Sequence, residues 1–105
     1  MKVTVNGVEY SFALNSFAPT YTYEVIMGEP FSGATTRNIH VMMFATLLAS
    51  NPDEWKMTLA QFTEWLYDHP AEEQTMASAI SDEFIRRAEL SLKKKKSKGQ
   101  ASLRA

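Results

Sequence analysis

The chain of 105 residues contains no cysteine. This absence excludes disulfide bonds, thiolate zinc sites and cysteine nucleophiles together, and it leaves the compartment open, although a cytosolic chain fits. No apolar run approaches the roughly 20 residues needed to cross a bilayer. Residues 1–15 alternate polar and apolar side chains where a signal peptide would be continuously apolar. We therefore expect a soluble, unsecreted protein.

The sequence also has few residues of the kinds that carry catalysis. It has no glycine-rich phosphate loop and no nucleophile elbow. His40 lies in an apolar stretch with no carboxylate or second histidine three or four positions away, and His69 follows Asp68 at a predicted helix end. The paired carboxylates are Asp53/Glu54, Glu72/Glu73 and Asp82/Glu83. Adjacent positions on a helix do not face each other, so we expect structural histidines, no enzyme activity, no cofactor and no metal, unless distant residues converge.

Charge is divided unevenly along the chain. Residues 93–105 hold six basic residues and no acidic one, whereas residues 1–92 hold five basic and twelve acidic residues, a net charge of −7. This predicts a single domain over 1–92 and a basic, disordered tail over 93–105. The lysines of the tail could bind phosphates, but no aromatic side chain is interleaved with them and the acidic body would repel a duplex. We favour a solvated tail.

The N-terminal residues predict a β-hairpin. Val3, Val5, Val8, Tyr10 and Phe12 alternate except across Asn6-Gly7, a dipeptide that suits a type I′ turn. A lone hairpin is marginally stable in water. Its apolar face therefore covers the helices, or its edge pairs with another strand.

The rest of the chain predicts helices over 21–27, 37–50, 58–67 and from 70 to about 93–96. Gly28 ends the first helix, Thr35 or Thr36 caps the second, and Thr58 with Gln61 forms a capping box on the third. The second helix is apolar nearly all round, with Met42 and Met43 in its middle, which indicates a central core helix. The fold class is α+β, mostly α: a hairpin packed on about four helices, followed by the tail.

Aromatic residues are the candidate partner contacts. Tyr21 and Tyr23 are two apart on a short helix and cannot face the same way, so one is expected to be exposed, as is Trp55 or part of Trp65. The predicted partner-binding residues are Tyr21, Tyr23, Phe31 and Trp55.

Tyr23-Glu24 followed by Gly28-Glu29-Pro30-Phe31 resembles the YE…tG…F segment near the start of tail assembly chaperones of long-tailed bacteriophages. The likeness extends loosely over residues 3–90: a β start, a short helix, an apolar helix, an Asn-Pro break and an aromatic-containing helix. The chain departs from the family pattern after Gly28, where FSGATT is shorter and less acidic than the usual lead into the next helix.

The resemblance implies a non-enzymatic, mainly helical protein of the host cytoplasm. Such a protein coats the phage tape measure protein before the tail tube protein polymerises around it, associates with copies of itself, and is absent from the mature virion. Two alternatives stay open: a head-tail connector or other virion component, and a small interaction module that binds nucleic acid through the lysine tail.

Overall fold

In the computed structural model, the backbone is described for residues 1–104 and the side chains for residues 1–93. The elements in chain order are β1 (Lys2–Val5), β2 (Val8–Ser11), α1 (Ala18–Met27), α2 (Thr36–Ser50), α3 (Leu59–Tyr67) and α4 (Pro70–Arg104). The predicted α+β class, mostly α with an N-terminal hairpin and four helices, is confirmed. The side chains of most of the predicted basic tail, from 94 onward, lie outside the described residues, and its disorder stays a prediction.

The hairpin forms as the sequence predicts. Strand β1 pairs antiparallel with β2, with Val3 opposite Tyr10 and Val5 opposite Val8. Asn6 and Gly7 both have positive φ, at 51° and 80°, as a type I′ turn requires. Val3, Val5, Tyr10 and Phe12 are buried in the common core, so one face of the hairpin covers the helices.

One side chain fastens the hairpin to α2. The Asn51 amide, just after α2, donates to the carbonyl of Ser11 at 2.8 Å and accepts from the Ser11 backbone N–H at 3.0 Å. It also donates to the Leu47 carbonyl at 2.9 Å. The buried Asn51 amide thus forms hydrogen bonds with the backbone N–H and C=O of Ser11, on the edge of β2 that faces away from β1, and with a carbonyl in the last turn of α2.

Helix α2 is the central element. Its buried residues fall on all sides: Val41, Met42, Met43, Ala45, Thr46 and Leu47. The Thr46 hydroxyl, the polar exception, donates to the Met42 carbonyl at 2.7 Å. The core placement predicted for Met42 and Met43 is confirmed, and α1, α3, α4 and the hairpin pack around this helix.

The helix ends follow local chemistry. Gly28 takes the left-handed conformation at φ 71° after α1, and its N–H donates to the Glu24 carbonyl. Thr35 caps α2 through its side chain, and Thr58 with Gln61 forms the predicted capping box on α3. Helix α1 begins at Ala18, three residues before the predicted start, because Pro19 is accommodated in the first turn, where its missing N–H costs nothing.

Candidate partner-binding surface

The outer side of α1 carries an exposed row of apolar side chains. Phe17, Tyr21 and Val25 recur every four residues and are 50%, 61% and 85% exposed. The rings of Phe17 and Tyr21 stack at 5.8 Å between centroids, and the Arg87 guanidinium of α4 lies 4.4 Å from the Phe17 ring centroid. We call these three residues the α1 face. A contiguous exposed row of this kind marks an interaction surface more specifically than scattered apolar residues do.

The rim of the α1 face carries both charges, because Glu24 precedes Val25 on the helix and the Arg87 guanidinium lies over Phe17. Glu24 lies on the same helix between Tyr21 and Val25, and Glu29 follows Gly28; both are exposed. No basic residue occurs within α1, Ala18–Met27. The part of the row beside Glu24 therefore suits an apolar surface that is flanked by basic side chains, whereas the Phe17 end already carries a basic side chain.

A second apolar surface is a groove along α4. One part, of about 440 Å³, is lined by Phe31, Gly33, Ile39, Ile80, Ser81, Phe84, Ile85 and Ala88. A second part, of about 360 Å³, shares Ile39 and Ser81 with the first and reaches back to Gln74. From Gln74 to Ala88 the groove runs about 21 Å along the helix, at 1.5 Å per residue.

The structure separates the four predicted contact residues. Tyr21 is exposed on the α1 face, and Phe31 is half-buried in the wall of the α4 groove. Tyr23 is 0% exposed and Trp55 is buried, so neither offers the surface that the prediction needs. The expectation that one of the two helix tyrosines is exposed holds, with Tyr21 as that residue; partner binding itself stays a prediction.

Packing explains why Tyr23 and Trp55 are buried, whereas Trp65, the other tryptophan that the prediction allowed, is partly exposed. Tyr23 faces the core side of α1, where its ring meets Phe31 edge-on at 5.1 Å. Trp55 lies in the α2–α3 connection, which folds back through a hydrogen bond from the Trp55 N–H to the Asn51 carbonyl at 2.9 Å. Its indole is wedged edge-on between Tyr10 at 5.0 Å and Phe62 at 5.4 Å. Trp55 thus joins the hairpin to α3 instead of facing a partner.

Two buried polar atoms accompany these aromatics. Among the described side chains, the Tyr23 hydroxyl and the Trp55 indole N–H have no hydrogen-bond partner. Burial raises the pKa of the Tyr23 hydroxyl above its ordinary value, the nearby Glu29 carboxylate adds to the rise, and Arg37 opposes it. The neutral phenol is therefore the form that the fold favours.

The histidines lie apart from each other. His40 Nε2 on α2 contacts Glu73 Oε2 on α4. The two residues are 33 positions apart in sequence, so this contact joins α2 to α4. His69 Nδ1 donates to the Trp65 carbonyl at 2.6 Å, and its ring stacks on Trp65 at 4.1 Å. His40 thus joins α2 to α4, whereas the contacts of His69 lie within the C-terminal end of α3, and a structural role for both stays a prediction.

The paired carboxylates Asp82 and Glu83 differ in their surroundings. Glu83 accepts two hydrogen bonds from Arg86, the shorter at 2.6 Å, while Asp82 is exposed. The hydrogen bonds from Arg86 hold the pKa of Glu83 below its ordinary value. Within the described residues, no group of three or more acidic or histidine side chains could hold a metal ion. In the same part of the chain, no helix has the length and apolar character required of a membrane span.

Sequence reasoning missed Phe17 and Val25. Their spacing with Tyr21 is visible in the sequence, but the predicted helix begins at residue 21, which leaves Phe17 outside the helix pattern. Comparisons of the chain with protein-family models, with curated proteins and with solved structures returned no match.

Proposed function

We propose that this protein is a non-enzymatic tail assembly chaperone that binds a phage tape measure protein during tail morphogenesis. It would act in the host cytoplasm and leave before the virion is complete. The observation that carries the proposal is the α1 face, an exposed aromatic and aliphatic row on the helix that bears the family-like segment. The resemblance of Tyr23-Glu24 and Gly28–Phe31 to that family supports the partner assignment.

The size of the α1 face favours a weak contact that is repeated many times. Complete burial of an apolar side chain is worth about 1.5–3 kcal/mol, and Phe17, Tyr21 and Val25 are already partly buried, so together they supply roughly 3–6 kcal/mol before association costs. Those costs are about 4–15 kcal/mol, which leaves little net affinity for one copy. Several copies along one long helical chain would add their contacts without repeating the full cost. A protein of this kind suits an extended partner with repeated apolar helix faces.

The charged residues around the α1 face restrict the kind of helix that can bind there. Glu24 precedes Val25 on α1, so a matching helix would carry lysine or arginine beside its apolar stripe at that end, away from Arg87. Helix-in-groove recognition needs anchors three or four residues apart on that partner.

The test is co-expression with the tape measure protein of the same phage. The double variant Tyr21→Glu with Val25→Glu alters the α1 face, and we expect the tape measure protein to move from the soluble to the insoluble fraction. The matched control is Val8→Glu with Tyr67→Glu, which changes one exposed tyrosine and one exposed valine elsewhere, at 89% and 50% exposure for Tyr67 and Val8. Equal solubility of the tape measure protein without this chain would refute the proposal.

The alternative functions give different outcomes. A head-tail connector or other virion component would be present in purified particles at a fixed copy number, whereas the proposed chaperone would be absent. A nucleic-acid-binding module would shift DNA or RNA in gels at low salt, and the shift would fade as salt increases. If the protein captures the tail tube protein and not the tape measure protein, the tail tube protein is its partner and the proposed partner is wrong.

A further inference from the structure

The edge of β1 that faces away from β2 has backbone groups without hydrogen-bond partners. In an antiparallel pair, residues that exchange backbone hydrogen bonds alternate with residues whose N–H and C=O groups point outward. The hydrogen bond from the Phe12 N–H to the Met1 carbonyl, at 2.8 Å, fixes which residues point outward. On β1 these are Lys2 and Thr4, and within the described part of the chain their four backbone groups form no hydrogen bond.

The other edge of the hairpin is closed by a side chain. On β2 the outward residues are Glu9 and Ser11, and the Asn51 amide binds both backbone groups of Ser11. Within Val8–Ser11, Glu9 alone stays open, which is too short a stretch to pair with a strand. Lysine often protects an edge strand, but Lys2 Nζ donates to Ser11 Oγ at 3.0 Å across the exposed face of the sheet. The edge of β1 is therefore the one that is open to another strand.

A cleft lies beside this open edge, between β1 and the first turns of α4. It has a volume of about 270 Å³ and is lined by Lys2, Val3, Thr4, Ala71, Glu72 and Thr75. Side chains alternate between the two faces of a strand, so a residue that pairs opposite Val3 directs its side chain to the same face as Val3, toward α4. The cleft accepts a branched aliphatic side chain there, because Val3 and Ala71 supply apolar surface.

Glu72 gives the cleft its charge. It is half-buried in the first turn of α4, and no salt bridge or hydrogen bond reaches its carboxylate from the described side chains. Lys2, the basic residue of the lining, is bound to Ser11, and the Thr75 hydroxyl donates to the Ala71 carbonyl at 3.0 Å. A lysine or arginine of an incoming segment therefore finds a carboxylate to pair with, whereas an acidic residue meets repulsion.

From these observations we propose that β1 binds an extended segment of a partner protein as a third, antiparallel strand. The segment carries a β-branched aliphatic residue opposite Val3 and lysine or arginine beside it. An antiparallel segment satisfies all four open backbone groups with three residues, whereas a parallel one needs five. In this mode of recognition the main chain provides affinity and the side chain in the cleft provides specificity. The site goes beyond the proposed chaperone function and lies on a different surface from the α1 face.

The probe is the capped peptide TKVKT, titrated by NMR into the isotope-labelled full chain at millimolar concentration. We expect the amide signals of Lys2, Thr4, Ala71 and Thr75 to shift and hydrogen exchange of the Thr4 N–H to slow. Methylation of the backbone nitrogens of both peptide lysines removes the two N–H groups that face β1 and should weaken binding about tenfold. Methylation of the valine nitrogen, which points away from β1, is the matched control and should leave binding nearly unchanged. The reverse pattern would refute the antiparallel register.

Variants of the protein test the edge and the cleft separately. Thr4→Pro removes a donor that the ladder does not use, and Glu9→Pro is its matched control, because Glu9 lies opposite Thr4 with its N–H on the other edge. Ala71→Leu fills the cleft, and Ala88→Leu is the same change at an exposed position of α4 away from it. We expect Thr4→Pro and Ala71→Leu to lose the peptide and both controls to bind it, with equal helix content by circular dichroism.

The charge of the cleft is tested by exchange. Glu72→Lys should bind the peptide TEVET more tightly than TKVKT, the opposite of the wild-type order, because the new ammonium attracts glutamate. The same order in both proteins would show that Glu72 does not contact the segment and that the basic partner is wrong.

Three results would overturn the proposed strand site. One is the absence of peptide-induced shifts at Lys2 and Thr4, and another is unchanged binding in Ala71→Leu. The third is a Thr4 signal that shifts with protein concentration alone, which would show that a second copy occupies the edge. The α1-face variant Tyr21→Glu with Val25→Glu should bind the peptide like the wild type, so the strand site and the chaperone function can fail separately.

Discussion

Replacing Tyr23 by phenylalanine should stabilise the protein. The ring of Tyr23 is fully buried against Phe31, and its hydroxyl has no hydrogen-bond partner among the described side chains. A buried hydroxyl without a partner costs about 1–3 kcal/mol in lost hydration. Phenylalanine retains the ring contacts and removes that cost. We expect the free energy of unfolding to rise by about 1 kcal/mol and the melting temperature by about 4 °C.

The same substitution should change the response to alkaline pH. The folded state raises the pKa of the Tyr23 hydroxyl, mainly through burial, while the unfolded chain ionises it near pH ~10. The stability that the neutral phenol supports is therefore present below pH ~10 and is lost as the pH rises toward the folded pKa. Wild-type protein should lose stability in that range, and Tyr23→Phe should lose less.

Urea denaturation followed by circular dichroism measures both effects, at pH 7 and at pH 10.5. Tyr21→Phe is the matched control, because Tyr21 lies on the same helix with an exposed ring, and we expect its stability at pH 7 to match the wild type within about 0.5 kcal/mol. A Tyr23→Phe protein less stable than wild type by about 1 kcal/mol at pH 7 would show that the hydroxyl forms a hydrogen bond, and the reasoning would fail.

Four further substitutions test the fold, one of them as a control. Asn51→Ala should cost about 2–3 kcal/mol in thermal unfolding, because it leaves the Ser11 backbone N–H without its acceptor and releases the hairpin from α2; a loss under 0.5 kcal/mol would contradict this. Gly28→Ala should lower the free energy of unfolding by about 1–2 kcal/mol, because Gly28 has a φ of 71° that alanine rarely adopts. The control is Gly33→Ala, whose new Cβ would lie 3.7 Å from Ile39 Cδ1 and which should be nearly neutral. Equal losses of stability in the two variants would show that the backbone conformation of Gly28 is not the cause. Phe62→Ala should lower the free energy of unfolding by about 3–5 kcal/mol in chemical denaturation, because Phe62 is fully buried. An unchanged denaturation midpoint would contradict this, since it would mean that the core fills the cavity without losing stability.

Short-range sequence patterns predict nearly all the helices and strands of this fold. The Asn6-Gly7 turn, the Gly28 helix end and the Thr58/Gln61 capping box each depend on residues within four positions of one another. Such signals act on the local backbone and need no knowledge of the rest of the chain. The composition of α2, apolar on every side, likewise indicates a central helix wherever its neighbours lie.

The candidate surfaces were less accessible to such reasoning. The sequence shows that Tyr21 and Tyr23 point apart, but which of them faces solvent depends on where α1 rests on α2. Trp55 lies in a connection between helices, where exposure is the usual expectation, and only its contacts with Tyr10 and Phe62 bury it. Both contacts join parts of the chain that no periodicity relates.

By itself, then, the sequence determined the order of the elements, most of their ends, the central helix and the separation of an acidic body from a basic C-terminal segment, but not the start of α1 at Ala18 or the end of α4 at Arg104. The tertiary structure alone decided that Tyr23 and Trp55 belong to the core, that His40 meets Glu73, and that Phe17, Tyr21 and Val25 form one exposed row. The physical reason is the distance along the chain over which each interaction acts. Turns and caps depend on hydrogen bonds between residues within one helical turn. The burial of a side chain depends on which distant elements pack together and exclude water from it.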